Sequence, residues 1–200
     1  MNYSLKATKL PPSITLAITA KAKEMKAQGK DVIGFGAGEP DFNTPQNIVD
    51  ACKKALDEGK TKYLPASGIN ELKDAVVKKF SRDNGLTYQR EQVIISTGGK
   101  QCLFNAMVAL LNPWDEVMIA KPYWVSYPDL IALAGGTCVI VDTHEEDDYK
   151  FTPENLEASL TDKSKVIIVN SPNNPTGTIY SMEELELIAD FCKKHDLFIL

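Results

Sequence analysis

No stretch of this 200-residue chain approaches the ~20 consecutive apolar residues of a membrane-spanning helix, and the opening M-N-Y-S-L-K-A-T-K-L lacks the apolar core of a secretory signal. Basic residues are in deficit: Lys and Arg total 22 against 27 Asp and Glu, a net charge of -5 with a pI near 5.1. That balance offers no electrostatic footprint for nucleic acid or an anionic membrane surface. Histidine is scarce. His144 and His195 flank acidic residues in polar stretches with no partner at metal-ligand spacing, so no metal is expected and both are read as surface positions. The four cysteines, Cys52, Cys102, Cys138 and Cys192, form no C-x-x-C and each has apolar neighbours, which predicts buried, reduced thiols in a cytoplasmic protein. What is present is ordinary: 44% hydrophobic and 24% charged residues suffice for one sizeable core, with no internal repeat or low-complexity linker.

Apolar residues at helical spacing after Pro11-Pro12 and before Gly29 predict a helix over 13–28. Val32 to Phe35 reads as a short strand, and Thr44-Pro45 as the capped start of a helix that buries Ile48, Val49, Cys52, Ala55 and Leu56 before Gly59. A further amphipathic helix is expected over 70–84, with Leu72, Ala75, Val76 and Phe80 inward. From Val93 strand and helix alternate: strand 93–96, helix 100–111, strand 116–120, helix 125–134, strand 137–141, a solvated acidic loop 144–148, a helix opened by Thr152-Pro153, strand 165–169, and a helix begun by the capping box Ser181-x-x-Glu184 that ends near His195. This alternation predicts an α/β fold, a mainly parallel sheet with helices on both faces. Leu197 to Leu200 reads as the opening of one more buried strand without a continuation, so the sequence is expected to be part of a longer protein.

The most informative stretch is Val166 to Gly177, V-I-I-V-N-S-P-N-N-P-T-G. Four β-branched residues without polar alternation read as a strand buried on both faces, and a polar corner stiffened by Pro172 and Pro175 follows at its carboxyl end, where open α/β sheets hold ligands. In I-I-S-T-G-G-K-Q, Gly98 and Gly99 stand between a strand and a helix, bare amides suited to an anion. Tight turns use such glycines too. The apolar helix that follows would place this end in the interior, where uncapped amides need a partner, and that favours a phosphate. It is not a Walker A loop, since Gln101 stands where Ser or Thr is required. In A-K-P-Y-W-V-S-Y-P, Trp124 lies in a loop at the same sheet edge, a flat ring able to stack on a flat ligand rather than merely fill the core. The glycines at 34, 36 and 38 do not make a dinucleotide fingerprint, because Glu39-Pro40 stands where helix and last glycine should be.

The string N-S-P-N-N-P-T-G resembles the asparagine loop of the class I aminotransferases, which use pyridoxal 5′-phosphate (PLP). The resemblance spans the chain, with several motifs in the family's order. It implies the large domain of the PLP-transferase fold type I from residue 46 to 200, truncated, preceded over 1–45 by an N-terminal arm and the start of the small-domain and substrate loop. It implies that Asn174 donates to the cofactor's phenolic oxygen, with the bond to Pro175 commonly cis, and that Trp124 covers the cofactor ring, with Lys121-Pro122 often cis. Gly98, Gly99 and Lys100 fall in the phosphate cradle, and the backbone at Gly38 in A-G-E-P-D-F faces the substrate's α-carboxylate. Tyr63 matches a tyrosine that crosses a homodimer interface to the other subunit's cofactor phosphate. Thr15 and Lys100 match residues that, in the prokaryotic aspartate aminotransferase subgroup, help hold the substrate's distal carboxylate, with Trp124 and Asn174 also facing substrate.

The implied activity is transfer of an amino group between L-aspartate or glutamate and a 2-oxo acid. The lysine that carries the cofactor is expected past Leu200, leaving no catalytic residue in this segment, which is expected to be inactive alone. Two other classes share parts of the pattern. A transcriptional regulator with an aminotransferase-like sensor domain would carry a basic helix-turn-helix in front, which these residues do not show. A C-S lyase of the same fold, or a prephenate or aromatic aminotransferase, stays open, because the residues that select the side chain are partly absent.

Overall fold

The computed structural model describes residues 3–8, 10–36 and 38–200. The chain divides into two compact units, Met1–Leu72 and Lys73–Leu200.

The first unit holds the short helix α1 (Leu5–Thr8), α2 (Ile14–Ala27) and α3 (Gln46–Asp57), and α4 (Asn70–Asn84) begins at its end. Helix α2 starts where the sequence places it. The Ser13 side chain accepts the Leu16 N–H at 3.3 Å, satisfying one of the amides a helix start leaves open. Pro45 rather than Thr44 is the N-cap of α3, and Val32 to Phe35 forms no strand. Nor does α3 bury its apolar face: Ile48 is 53% and Leu56 59% exposed, and Cys52 is exposed. In α4, Val76 and Phe80 are half-buried but Leu72 and Ala75 are exposed. Spacing specifies an apolar stripe; only a facing surface turns it into buried area.

The second unit contains α5 (Gly98–Leu110), β1 (Glu116–Lys121), α6 (Tyr127–Ala134), β2 (Thr137–Asp142), α7 (Pro153–Ser159), β3 (Ser164–Ile168), α8 (Met182–His195) and β4 (Phe198–Ile199). The strands form one parallel sheet in the order β2-β1-β3-β4. Val93 to Ser96 forms no strand, because no ladder partner lies beside it among the described residues.

Alternation along the central strands shows how the layers are built. Val117 and Ile119 of β1, with Val166 and Ile168 of β3, pack with Met107, Leu111, Leu130 and Ile131 from α5, its C-cap and α6. Met118 and Ile167, one residue out of phase, pack with Leu156, Ile188, Phe191 and Cys192 from α7 and α8. Helices therefore cover both faces, which is why β1 and β3 tolerate an unbroken apolar run. Burying each such side chain contributes roughly 1.5–3 kcal/mol. The turn from α6 into β2 requires glycine at 136, where a Cβ would stand 2.8 Å from Leu111 Cδ1 and 3.1 Å from the Asp115 carbonyl oxygen.

The capping box of α8 forms as its sequence implies: Ser181 Oγ accepts the Glu184 N–H at 3.2 Å, and Glu184 Oε2 accepts the Ser181 N–H at 2.6 Å. Two expectations fail. Cys102 is exposed, so only Cys138 and Cys192 are covered thiols. His195 is half-buried rather than a free surface group, its ring 4.7 Å from that of Phe191 and its Nε2 3.4 Å from Glu157.

Candidate active site

Parallel strands send their carboxyl ends to one edge, and the loops leaving β1 and β3 meet there. The loop after β1 runs through Trp124 into α6; the loop after β3 carries the asparagines. They are joined directly: Asn173 Nδ2 donates to the Pro122 carbonyl at 3.2 Å and to Thr176 Oγ1 at 2.9 Å. Asn170, at the top of β3, accepts the Asn174 N–H on Oδ1 at 2.9 Å. Ser171 Oγ accepts the Tyr180 N–H at 3.1 Å, closing the far end of the loop. The bonds to Pro122 and Pro175 are both cis, as the resemblance implies, and so is that to Pro172.

Between these loops and the start of α5 opens a cavity of 310 Å³ lined by Gly99, Lys100, Leu103, Trp124, Tyr127, Asn170, Pro172 and Asn174. The sequence separates Gly99 from Asn174 widely; the sheet edge brings them together. Gly98 has φ +78°, a left-handed conformation that costs glycine little, and starts α5 beside the cavity. The N-cap residue Thr97 leaves its hydroxyl out of the capping role, while its own N–H donates to Gln101 Oε1 at 2.5 Å. The space over Gly98 and Gly99 is open, with nothing within 4 Å of a Cβ built at either position. Contrary to the sequence expectation, this helix end is exposed rather than interior; Met107 is the buried residue of α5.

The half-buried indole of Trp124 is held from two sides. The Lys100 ammonium lies 5.0 Å from its ring centre, a cation–π contact, and the Tyr127 ring meets it at 87° with centroids 5.4 Å apart. Asn174 is exposed, and its side-chain amide has no hydrogen-bond partner among the described residues. Open amides, a flat aromatic face, an ammonium and a free carboxamide make a site suited to a flat ring bearing a phosphate, so the residues present fit PLP.

Three expected residues belong to the Met1–Leu72 unit. Thr15 lies in the first turn of α2, its hydroxyl 3.1 Å from Ser13 Oγ; Gly38 is exposed, in neither helix nor strand; Tyr63 is fully exposed. Sequence reasoning missed Tyr127 as a lining residue and Asn173 as the tie between loops. Tyr127 stands three residues after Trp124, at the start of a helix, which is the available signal. A wider hollow of 510 Å³ is lined by Lys121, Pro122, Tyr123, Ile140 and Asp142, with Lys121 and Asp142 ion-paired at 3.4 Å. Among the described residues no helix is long and apolar enough to cross a membrane.

Similarity to known proteins points the same way as the geometry. The family model described as "Aminotransferase class I and II" matches residues 30–200. An aspartate aminotransferase of Bacillus subtilis is 50% identical over 200 residues, all of this chain and 51% of that protein. An aspartate/prephenate aminotransferase of Cereibacter sphaeroides is 54% identical over 187 residues, 94% of this chain and 47% of that protein. Among solved structures, the aspartate aminotransferase of Thermus thermophilus with maleate superposes with a TM-score of 0.95 at 45% identity, covering 100% of this chain and 52% of that one. The chain thus spans about half the length of the curated relatives it matches. With the parallel sheet, the cavity at its edge and the match over residues 30–200 all in agreement, this chain belongs to the class I and II aminotransferase family.

Proposed function

We propose that this chain contributes the phosphate cradle, ring stack and asparagine loop of a PLP-dependent enzyme that moves an amino group between L-aspartate or glutamate and a 2-oxo acid. The observation that carries this reading is the meeting of Gly99, Lys100, Trp124 and Asn174 around one cavity in a chain of this family.

When bound, PLP supplies an electron sink for bond changes at the amino acid's Cα. The amides of Gly98 and Gly99, at the positive end of α5, hold the phosphate. Trp124 covers the ring, and Asn174 donates from its side-chain amide to the phenolic oxygen. The Lys100 ammonium and Thr15 hydroxyl take the distal carboxylate of the substrate, while the backbone at Gly38 faces its α-carboxylate. Tyr63 reaches the phosphate of the other subunit in a homodimer. On this reading residues 1–45 form the arm and substrate loop and 46–200 the cofactor-binding part, in a cytoplasmic enzyme. Neither Lys100 nor Lys121 is assigned the role of carrying the cofactor, so the 200 residues alone are inactive and the whole protein supplies that lysine.

Prephenate is a second amino acceptor worth including, since relatives such as that of Cereibacter sphaeroides are named for both substrates. The test is a substrate panel on the whole protein. Aspartate with 2-oxoglutarate should give oxaloacetate and glutamate. Release of pyruvate and ammonia from a cysteine conjugate, with no amino transfer, would overturn the transaminase reading in favour of a lyase.

A further inference from the structure

We infer that Tyr127 is a positioning residue that fixes the plane of the Trp124 ring against the cavity; this rests on the proposed role of Trp124 as the surface on which the cofactor ring stacks. Trp124 leaves the sheet in a loop, so no helix or strand restricts its side chain. Of its two aromatic or cationic contacts, one is soft. Lys100 is exposed, and its flexible ammonium can leave the indole when a carboxylate arrives.

Tyr127 cannot leave. It is 7% exposed, it opens α6, and its N–H donates to the Trp124 carbonyl at 3.0 Å, which locks the two backbones together. Its ring packs in the core cluster that contains Ile119, Leu130 and Ile168, and from there meets the indole nearly perpendicularly, 87° at 5.4 Å. An edge-to-face pair is an attraction between ring edge and ring face, so its geometry depends on a ring at 127 and not on the hydroxyl. A ligand that stacks on the indole then finds it already oriented and need not spend binding energy on ordering it.

The test uses a Trp114→Gly background, which leaves Trp124 the only indole of the two in the chain. Circular dichroism in the long-wavelength edge of the indole band, beyond the absorption of the seven tyrosines, and acrylamide quenching of fluorescence excited at that edge then report on Trp124, with far-ultraviolet dichroism as the check on folding. Tyr127→Leu is expected to lose the Trp124 dichroism and raise its quenching, and to weaken PLP about three- to tenfold while leaving inorganic phosphate binding unchanged. Tyr127→Phe is expected to keep the dichroism and to bind PLP within about twofold of the parent. Should Tyr127→Leu not fold, Tyr127→Met, more adaptable in a packed site, carries the same comparison. The inference is overturned if the ringless variants keep the Trp124 signal, or if Phe is as damaging as Leu. A parent that binds no PLP would refute the cofactor reading instead, and the dichroism would still decide the role of Tyr127.

Discussion

Asn173 Nδ2 donates to the carbonyl oxygen of Pro122 at 3.2 Å, and this bond joins the two loops whose tips carry Asn174 and Trp124. An aspartate is nearly the same shape but cannot donate when ionised. Asn173→Asp should therefore cost about 1–3 kcal/mol, since the Pro122 carbonyl loses its partner and gains a carboxylate neighbour. Urea denaturation at pH 7 measures it. An unchanged midpoint would mean that the loops are held by their own stiffness instead.

Trp114 adopts φ +77° while 75% exposed, so a bulky side chain sits in the left-handed region and gains little packing there. Trp114→Gly should stabilise the chain by about 1 kcal/mol, the relief of backbone strain outweighing the extra freedom glycine has when unfolded. The check is a rise in the urea midpoint at constant m-value. A lower midpoint would show that the indole makes a contact worth more than the strain.

The order of elements from α5 to β4 was legible in the sequence because strands buried on both faces read as unbroken apolar runs, as in Val166 to Val169, and because Ser181 and Glu184 announce their helix by a reciprocal cap. Burial was less legible. Ile48 and Leu56 repeat at helical spacing, yet they are exposed, since periodicity says which residues share a face and nothing about what covers it. Val93 to Ser96 has strand composition but no neighbour to complete a ladder among the described residues. At the site, Gly99, Trp124 and Asn174 could each be found from their own motifs. Asn173 could not, because its importance lies in a contact made across the fold, whereas Tyr127 offered only its spacing from Trp124, which does not by itself show that the two rings meet edge to face.

Asp115 gives a pH dependence with a definite sign. The Lys165 ammonium 2.7 Å away, then the Asn112 N–H, hold its carboxyl below the usual range. A carboxylate with a depressed folded pKa contributes stability that is fully present above its unfolded value, near ~3.9, and is lost as pH falls through the folded value. The urea midpoint of the parent should drop more steeply below about pH 4 than that of Asp115→Asn, in which this titration is absent. Parallel pH profiles would contradict the assignment.

The four thiols should divide into two classes. Burial pushes Cys138 and Cys192 up to about 11, whereas Cys52 and Cys102 are exposed. Since the thiolate is the reactive form, a disulfide-exchange reagent at pH 8 should titrate Cys52 and Cys102 rapidly in the native chain and the other pair only on unfolding. Four equal rates would mean that both the packing over β2 at Cys138 and the core around α8 at Cys192 open freely.

The convergence of Trp124 and Asn174 on one phosphorylated ring is tested most directly by a double-mutant cycle for PLP binding to the chain, with Trp124→Ala, Asn174→Ala and the pair, and inorganic phosphate as the ring-free control. Each single change should weaken PLP by about 1–3 kcal/mol and leave phosphate untouched. The double variant should lose less than the sum, because both side chains grip the same rigid ligand. If either single variant binds PLP as tightly as the parent, the two residues do not share that ligand and the proposed site is wrong.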